Sequence, residues 1–187
     1  NALRLGRVAL VEGDERDARA LDRVFETHNV AAIVHLAGLK AVGDSVAAPL
    51  SYYNANIGGA VALLEAMERH GARRLVFSSS ATVYAQPGPG IAETAPLGAL
   101  NPYGRTKLFI ERILDDAAAA DPDFAAVSLR YFNPVGAHPS GLLGEAPRGA
   151  PTNLFPWIAQ VAAGERPALR VFGDDYDTPD EIGRAHV

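Results

Sequence analysis

Leu75-Val-Phe-Ser-Ser-Ser80, followed by Asn101-Pro-Tyr-Gly-Arg-Thr-Lys107, is the passage that decides the fold. Three apolar residues running into three hydroxyls read as a buried strand. In open α/β sheets, ligands gather at the carboxyl ends of such strands. Asn101-Pro102 then opens a helix, because proline suits the first helical position. Lys107-Leu-Phe-Ile-Glu-Arg-Ile-Leu114 continues it with apolar residues at helical spacing, and Asp121-Pro122 ends it after Ala120. Upstream, Arg74–Ser79 is preceded by a helical stretch from Pro49 to His70, stopped by Gly71. Before that, a glycine-containing loop follows the apolar run Ala31–Ala37, read as a strand covered on both faces. Asp17–His28 reads as an amphipathic helix with Leu21, Val24 and Phe25 on one face, and Val8–Val11 as a short strand. Downstream, Phe124–Tyr131 is a further strand, then comes a loop to Pro151, a helix Asn153–Ala163 and a strand Leu169–Phe172. Strands alternating with helices require parallel crossovers, hence an α/β fold with a doubly wound parallel sheet.

Tyr103 and Lys107 lie four apart, so a helix puts them one turn apart on one face. Such a pair offers a tyrosinate base. A free phenol titrates near ~10. An ammonium roughly 6 Å from its oxygen contributes on the order of 3 kcal/mol at an effective dielectric of about 20. That would lower the phenol by about two pH units. Alone, Tyr-x-x-x-Lys is common on helices, where its ordinary meaning is a core tyrosine beside a solvated lysine. Ser80 and Thr82 at the preceding strand end turn it into a proton-relay constellation.

The composition excludes several classes. Across 187 residues, 48% are hydrophobic and 21% charged, as in an ordinary globular chain. A formal net charge of -5 without a basic run argues against a nucleic-acid partner. The lack of cysteine rules out disulfides and thiolate metal sites, and fits a cytoplasmic setting. No stretch approaches the ~20 apolar residues of a membrane span. His35, His70 and His138 show no metal-ligand spacing, so no metal is expected. His35, inside an apolar strand, reads as a satisfied core residue.

Three longer words carry a family resemblance. They are His35-Leu-Ala-Gly-Leu-Lys-Ala-Val-Gly-Asp-Ser-Val46, Phe77-Ser-Ser-Ser-Ala-Thr-Val-Tyr84 and Leu129-Arg-Tyr-Phe-Asn-Pro-Val-Gly-Ala-His-Pro-Ser-Gly141. With Tyr103 and Lys107 they resemble the extended short-chain dehydrogenase/reductase superfamily and, within it, the UDP-glucose 4-epimerase family, from about Val11 to Asp180. Related sugar-nucleotide dehydratases usually carry an acidic pair after the strand-end hydroxyls, where this chain has Ala81-Thr82-Val83. The resemblance implies a Rossmann-type NAD-dependent isomerase that interconverts UDP-glucose and UDP-galactose by transient oxidation at C4. A sibling sugar-nucleotide epimerase or dehydratase, and a non-catalytic nucleotide-binding sensor module, are the alternatives. Retention of both Tyr103 and Lys107 speaks against the sensor.

The resemblance also implies roles. Tyr103 would take the 4-hydroxyl proton, Ser80 would bridge substrate and tyrosine, with Thr82 a second candidate, and Lys107 would hold the nicotinamide ribose. An oxidised nicotinamide ring would complete the lowering of the phenol. Further cofactor contacts fall on Asp14 and Glu15, on the loop Leu36, Ala37, Gly38, Leu39 and Lys40, on Asn56, Ser78 and Phe132, and on Ser80 and Tyr103 themselves. As a bare carboxylate Asp14 also reads as a helix N-cap, and Gly38 suits close backbone approach to a diphosphate. A buried helical asparagine such as Asn56 needs partners; the family's contact just before it falls here on Ala55. Substrate contacts fall on Ser80, Tyr103, Asn133, Asn153, Arg170 and Phe172. A UDP-sugar is the expected partner, and a homodimer of the full-length protein stays open.

Both ends depart from the family pattern. The dinucleotide signature is a Gly-x-x-Gly-x-x-Gly turn after the first strand. None occurs here, and Gly58-Gly59 reads as a close helix-packing site. The expectation is that one β-α unit and the next strand precede residue 1. Glu181-Ile-Gly-Arg-Ala-His-Val187 back-translates to a stretch resembling a sequencing adapter, so a non-native tail is expected there. Residues 1–150 are thus expected to form a partial NAD-binding domain, 151–180 the start of a substrate-binding region and 181–187 the tail; the fragment itself is expected to be inactive.

Overall fold

A computed structural model describes residues 8–86, 90–142, 151 and 153–170. Residues 1–7, 87–89, 143–150, 152 and 171–187, with the expected 181–187 tail and Phe172 among them, lie outside the described residues. The chain divides into two units, Val8–Phe132 and Asn1–Arg7 with Asn133–Val187.

In the first unit, helix α1 spans Ala18–Thr27, strand β1 Ile33–His35 and helix α2 Val42–Ala47. Next come α3 (Pro49–Tyr52), a π-helical segment (Tyr53–Gly58) and α4 (Gly59–His70). Strand β2 covers Arg74–Ser80, helix α5 Pro102–Ala120 and strand β3 Ala125–Tyr131. The order β1-β2-β3 is parallel throughout, with Ile33 opposite Leu75 and Leu75 opposite Ala126. This is an incomplete doubly wound sheet of the Rossmann type, as the strand–helix alternation requires.

Local chemistry explains the boundaries. Asp17 caps α1 by accepting from the amides of Arg19 and Ala20. Gly71 ends α4 in the left-handed conformation (φ 70°), which costs a residue without Cβ little. Asn101 caps α5 by accepting from the Gly104 amide, with Pro102 at the first turn. Period-two alternation sends Leu75 and Phe77 of β2 into a cluster with Leu63 and Met67 of α4 and Ile110 and Leu114 of α5. Leu21 and Phe25 of α1 pack against the same cluster. Each such fully buried side chain contributes about 1.5–3 kcal/mol.

Three expectations need correction. Val8–Val11 forms no strand: none of the described strands pairs with it, and a ladder needs a partner. The run Ala31–Ala37 narrows to three paired residues, and it is not covered on both faces. Ile33 and His35 face the helices, whereas Val34 is 63% exposed, on the same face as Val127 at 54%. The loop expected after Ala37 contains the six-residue helix α2.

In the second unit, α6 spans Leu154–Ala162 with Asn153 at its N-cap position. Its Trp157 indole donates to the Pro151 carbonyl at 2.8 Å, and the Arg166 guanidinium lies 4.0 Å from its ring centroid.

Candidate active site

Three hydroxyls and an amine meet where β2 runs out. The strand delivers Ser78, Ser79 and Ser80 to its carboxyl end, and a 3-10 turn at Ala81–Val83 folds the chain back. The Thr82 hydroxyl donates to Ser80 Oγ at 3.0 Å, and its amide donates to the same oxygen at 3.3 Å. The first turn of α5 presses on this bend. A Cβ built on Gly104 would lie 2.7 Å from the Thr82 carbonyl oxygen, so only glycine admits this approach. Glycine after Tyr103 therefore sets how near the phenol comes to Ser80.

Lys107 is 5% exposed, and its ammonium donates to the Ser78 carbonyl at 2.8 Å. The amine lies 4.9 Å from the Phe77 ring centroid and 5.9 Å from that of Tyr103. Burial holds the amine down to about 8, against the opposing charge of Glu15. Tyr103 departs from expectation. Burial raises its phenol above the ordinary value and outweighs the hydrogen bond with Ser80, which acts the other way; Lys107 does not bring it down. The ammonium is directed at a backbone carbonyl, while half-burial penalises the phenolate directly.

The cofactor candidates divide. Leu36, Ala37, Gly38, Leu39 and Lys40 form an exposed loop at the carboxyl end of β1. Gly38 sits at φ 138°, a conformation open chiefly to glycine. Asn56, in the π-helical segment, braces that loop with both ends of its amide. It accepts from Leu39 N at 2.7 Å and donates to Leu39 O at 3.0 Å and to Thr106 Oγ1 at 3.0 Å. The buried Tyr52 hydroxyl fastens the far side of the loop by donating to Ala41 O at 2.7 Å. An exposed strand-end backbone with a glycine-only bend, beside a buried lysine, fits one part of a dinucleotide cradle.

Asp14 does not cap α1; Asp17 does. The Arg16 guanidinium donates to Asp14 at 2.9 and 2.5 Å and holds it down to about 2. Glu15 turns inward, its carboxylate 2.9 Å from His35 Nε2, which makes His35 the satisfied core residue expected of it. A side chain at Gly59 would collide with that carboxylate, so Gly59 is a close-packing site whose neighbour is Glu15. Phe132 lies 6.0 Å, centroid to centroid, from Tyr84. Asn133 takes φ 45°, uncommon for a residue with a side chain. Asn153 occupies the α6 cap, Arg170 lies in irregular chain, and Phe172 falls outside the described residues.

Sequence reasoning passed over Ser79, Glu111 and Arg130. The Glu111 carboxylate accepts from Ser79 and takes a two-pronged contact from Arg130, Nε at 3.0 Å and Nη2 at 2.7 Å. The signal was present: a glutamate one turn beyond Lys107 on an apolar helix face, and an arginine inside a strand. Among the described residues no cluster of His, Asp or Glu could hold a metal, and no helix is long and apolar enough to cross a membrane.

Comparison with known proteins gives the family of the chain. The model of the NAD dependent epimerase/dehydratase family matches residues 1–179. The chain is 56% identical over 171 residues to a UDP-glucose 4-epimerase of Dictyostelium discoideum, covering 91% of this chain and 50% of that protein. It is 54% identical over 173 residues to one of Bacillus subtilis (strain 168), covering 92% and 51%. The crystal structure of UDP-glucose 4-epimerase from Bifidobacterium longum in complex with NAD+ and UDP superposes with a TM-score of 0.88 at 52% identity, covering 92% of this chain and 52% of that one. The chain thus spans about half the length of the relatives it matches.

Proposed function

We propose, from the premise that this chain belongs to the NAD dependent epimerase/dehydratase family, that the full-length protein interconverts UDP-glucose and UDP-galactose. The observation that carries this reading is the meeting of Tyr103, Ser80 and Lys107 at the carboxyl end of β2. Tyr103 accepts the proton of the sugar 4-hydroxyl and later returns it, and Ser80, with Thr82 behind it, relays that proton. Lys107 holds the cofactor ribose and supplies positive charge beside the phenol. NAD, held by Lys107 and the loop from Leu36 to Lys40, would supply the reversible hydride chemistry at C4. Because burial raises the phenol, positive charge beside it favours proton abstraction.

The cofactor is held by Asp14, the Glu15 backbone, the loop from Leu36 to Lys40 braced by Asn56, Ser78 and Phe132. Asn133, Asn153, Arg170 and Phe172 take the UDP-sugar, with residues from 151 onward beginning the substrate region. The reading extends to a homodimer of the full-length protein, for which the exposed Phe109 of α5 offers an apolar contact. The test is to supply the full-length protein with UDP-galactose and NAD and follow UDP-glucose with a coupled dehydrogenase. Absence of conversion, with bound NAD verified, would overturn the reading.

A further inference from the structure

We propose that Glu111, held by Arg130 and Ser79, is a positioning residue that sets the strand end carrying Ser80 against the helix carrying Tyr103 and Lys107. This rests on the reading under Proposed function. Glu111 is 5% exposed and lies one turn beyond Lys107 and two beyond Tyr103 along α5. Its carboxylate accepts from the hydroxyl of Ser79, the residue before Ser80. Successive side chains of a strand point to opposite faces. Fastening Ser79 to α5 therefore fixes the rotation of the strand end and turns Ser80 away from that contact toward its own.

Arg130 widens the arrangement. Its Nε and Nη2 serve Glu111, while Nη1 donates to the Tyr84 hydroxyl and the Glu93 carbonyl, each at 3.1 Å. The guanidinium also lies 4.9 Å from the Tyr84 ring centroid. One planar cation thus ties β3, two residues before Phe132, to α5, to the turn after β2 and to the loop at Glu93. No buried side-chain polar atom among the described residues is left without a partner. A buried ion pair is a weak source of stability, since apolar replacement of both partners is often neutral or better. Its value here is geometric: directional bonds converge on the two residues that flank the reacting groups, Ser79 beside Ser80 and Glu111 a turn from Lys107.

The test compares full-length wild type with Ser79→Ala and with the paired Glu111→Leu/Arg130→Met. Each is assayed for melting temperature, kcat, KM and amide hydrogen exchange at residues 79–82 and 103–107. The expected result for the pair is an unfolding midpoint within a few degrees of wild type, KM within about threefold and kcat at least about tenfold lower. Exchange at both segments should quicken by about tenfold. Ser79→Ala should follow in the same direction by at least about threefold, and it decides the matter if the paired variant does not fold. Unchanged kcat and unchanged exchange in a folded variant would overturn the proposal. If wild type does not convert UDP-galactose, the reading of function fails, and exchange alone judges the positioning role: faster supports it, unchanged overturns it.

Discussion

Gly104 stands so close to Thr82 that a Cβ built on it would lie 2.7 Å from the Thr82 carbonyl oxygen and 3.2 Å from its hydroxyl. Both atoms belong to Thr82, in the tight turn that Ser80 caps, so neither can yield freely. Gly104→Ala is expected to cost about 1–3 kcal/mol, as overpacking of a close contact does. That corresponds to a melting-temperature drop of roughly 2–12 °C for a chain of this size. Turnover in the full-length protein should fall further than the lost stability explains, because α5 must back away with Tyr103. Wild-type melting and turnover would show that the helix does not set the phenol's position.

Tyr103→Phe removes the proton acceptor and almost no contact area. The expected loss in kcat is about 10²–10⁴-fold, the usual range for a general base, with UDP binding kept within about threefold. Calorimetry with UDP alongside the turnover assay separates the two. Turnover within threefold of wild type would remove Tyr103 from the chemistry.

Asn56→Leu leaves the Leu39 amide and carbonyl, and Thr106, without their side-chain partner. Leu39 is 43% exposed, so water takes up part of the loss, and Thr106 keeps its bond to the Tyr103 carbonyl; a loss of about 1–3 kcal/mol is therefore expected in denaturant melts. NADH titration of the full-length protein should weaken as well, because the loop from Leu36 to Lys40 loses its brace. A loss in stability with unaltered NADH affinity would confine Asn56 to the fold.

Lys107 gives a pH dependence with a definite sign. Its folded value, about 8, lies below the ordinary 10.5, so burial penalises the charged form. Below pH 8 both folded and unfolded chains carry the charge, and the penalty is fully present. Between about 8 and 10.5 the unfolded chain binds more protons, so stability rises with pH. Relative to Lys107→Met, the wild type should gain up to about 3 kcal/mol across that window, measured as denaturant midpoints. Turnover should decline above about pH 8 as the cation at 107 is lost. A wild-type curve parallel to that of the methionine variant would place the amine in a polar setting instead.

Periodicity and punctuation made α1, β2, α5, β3 and α6 legible within a residue or two. The helical run Pro49–His70 was legible as a whole, though not its division into α3, a π-helical segment and α4. Caps, apolar spacing and glycine stops are local signals. Ser80, Tyr103, Lys107 and the Gly38 loop were legible for the same reason: a strand end and the helix after it carry their chemistry in contiguous words. Val8–Val11 was misjudged because a strand exists only through a neighbour, and apolar runs do not announce whether one is there. Residue by residue, the sequence by itself determined the element order, the parallel crossovers and the proton-relay candidates. Tertiary structure alone decided that Glu15 reaches His35 across Gly59, that Glu111 and Arg130 bind the strand end, and that burial raises the Tyr103 phenol. Those outcomes rest on groups 19 to 44 positions apart, as Arg130 is from Glu111 and Gly59 from Glu15, and on desolvation. Both depend on three-dimensional proximity, which no local pattern encodes.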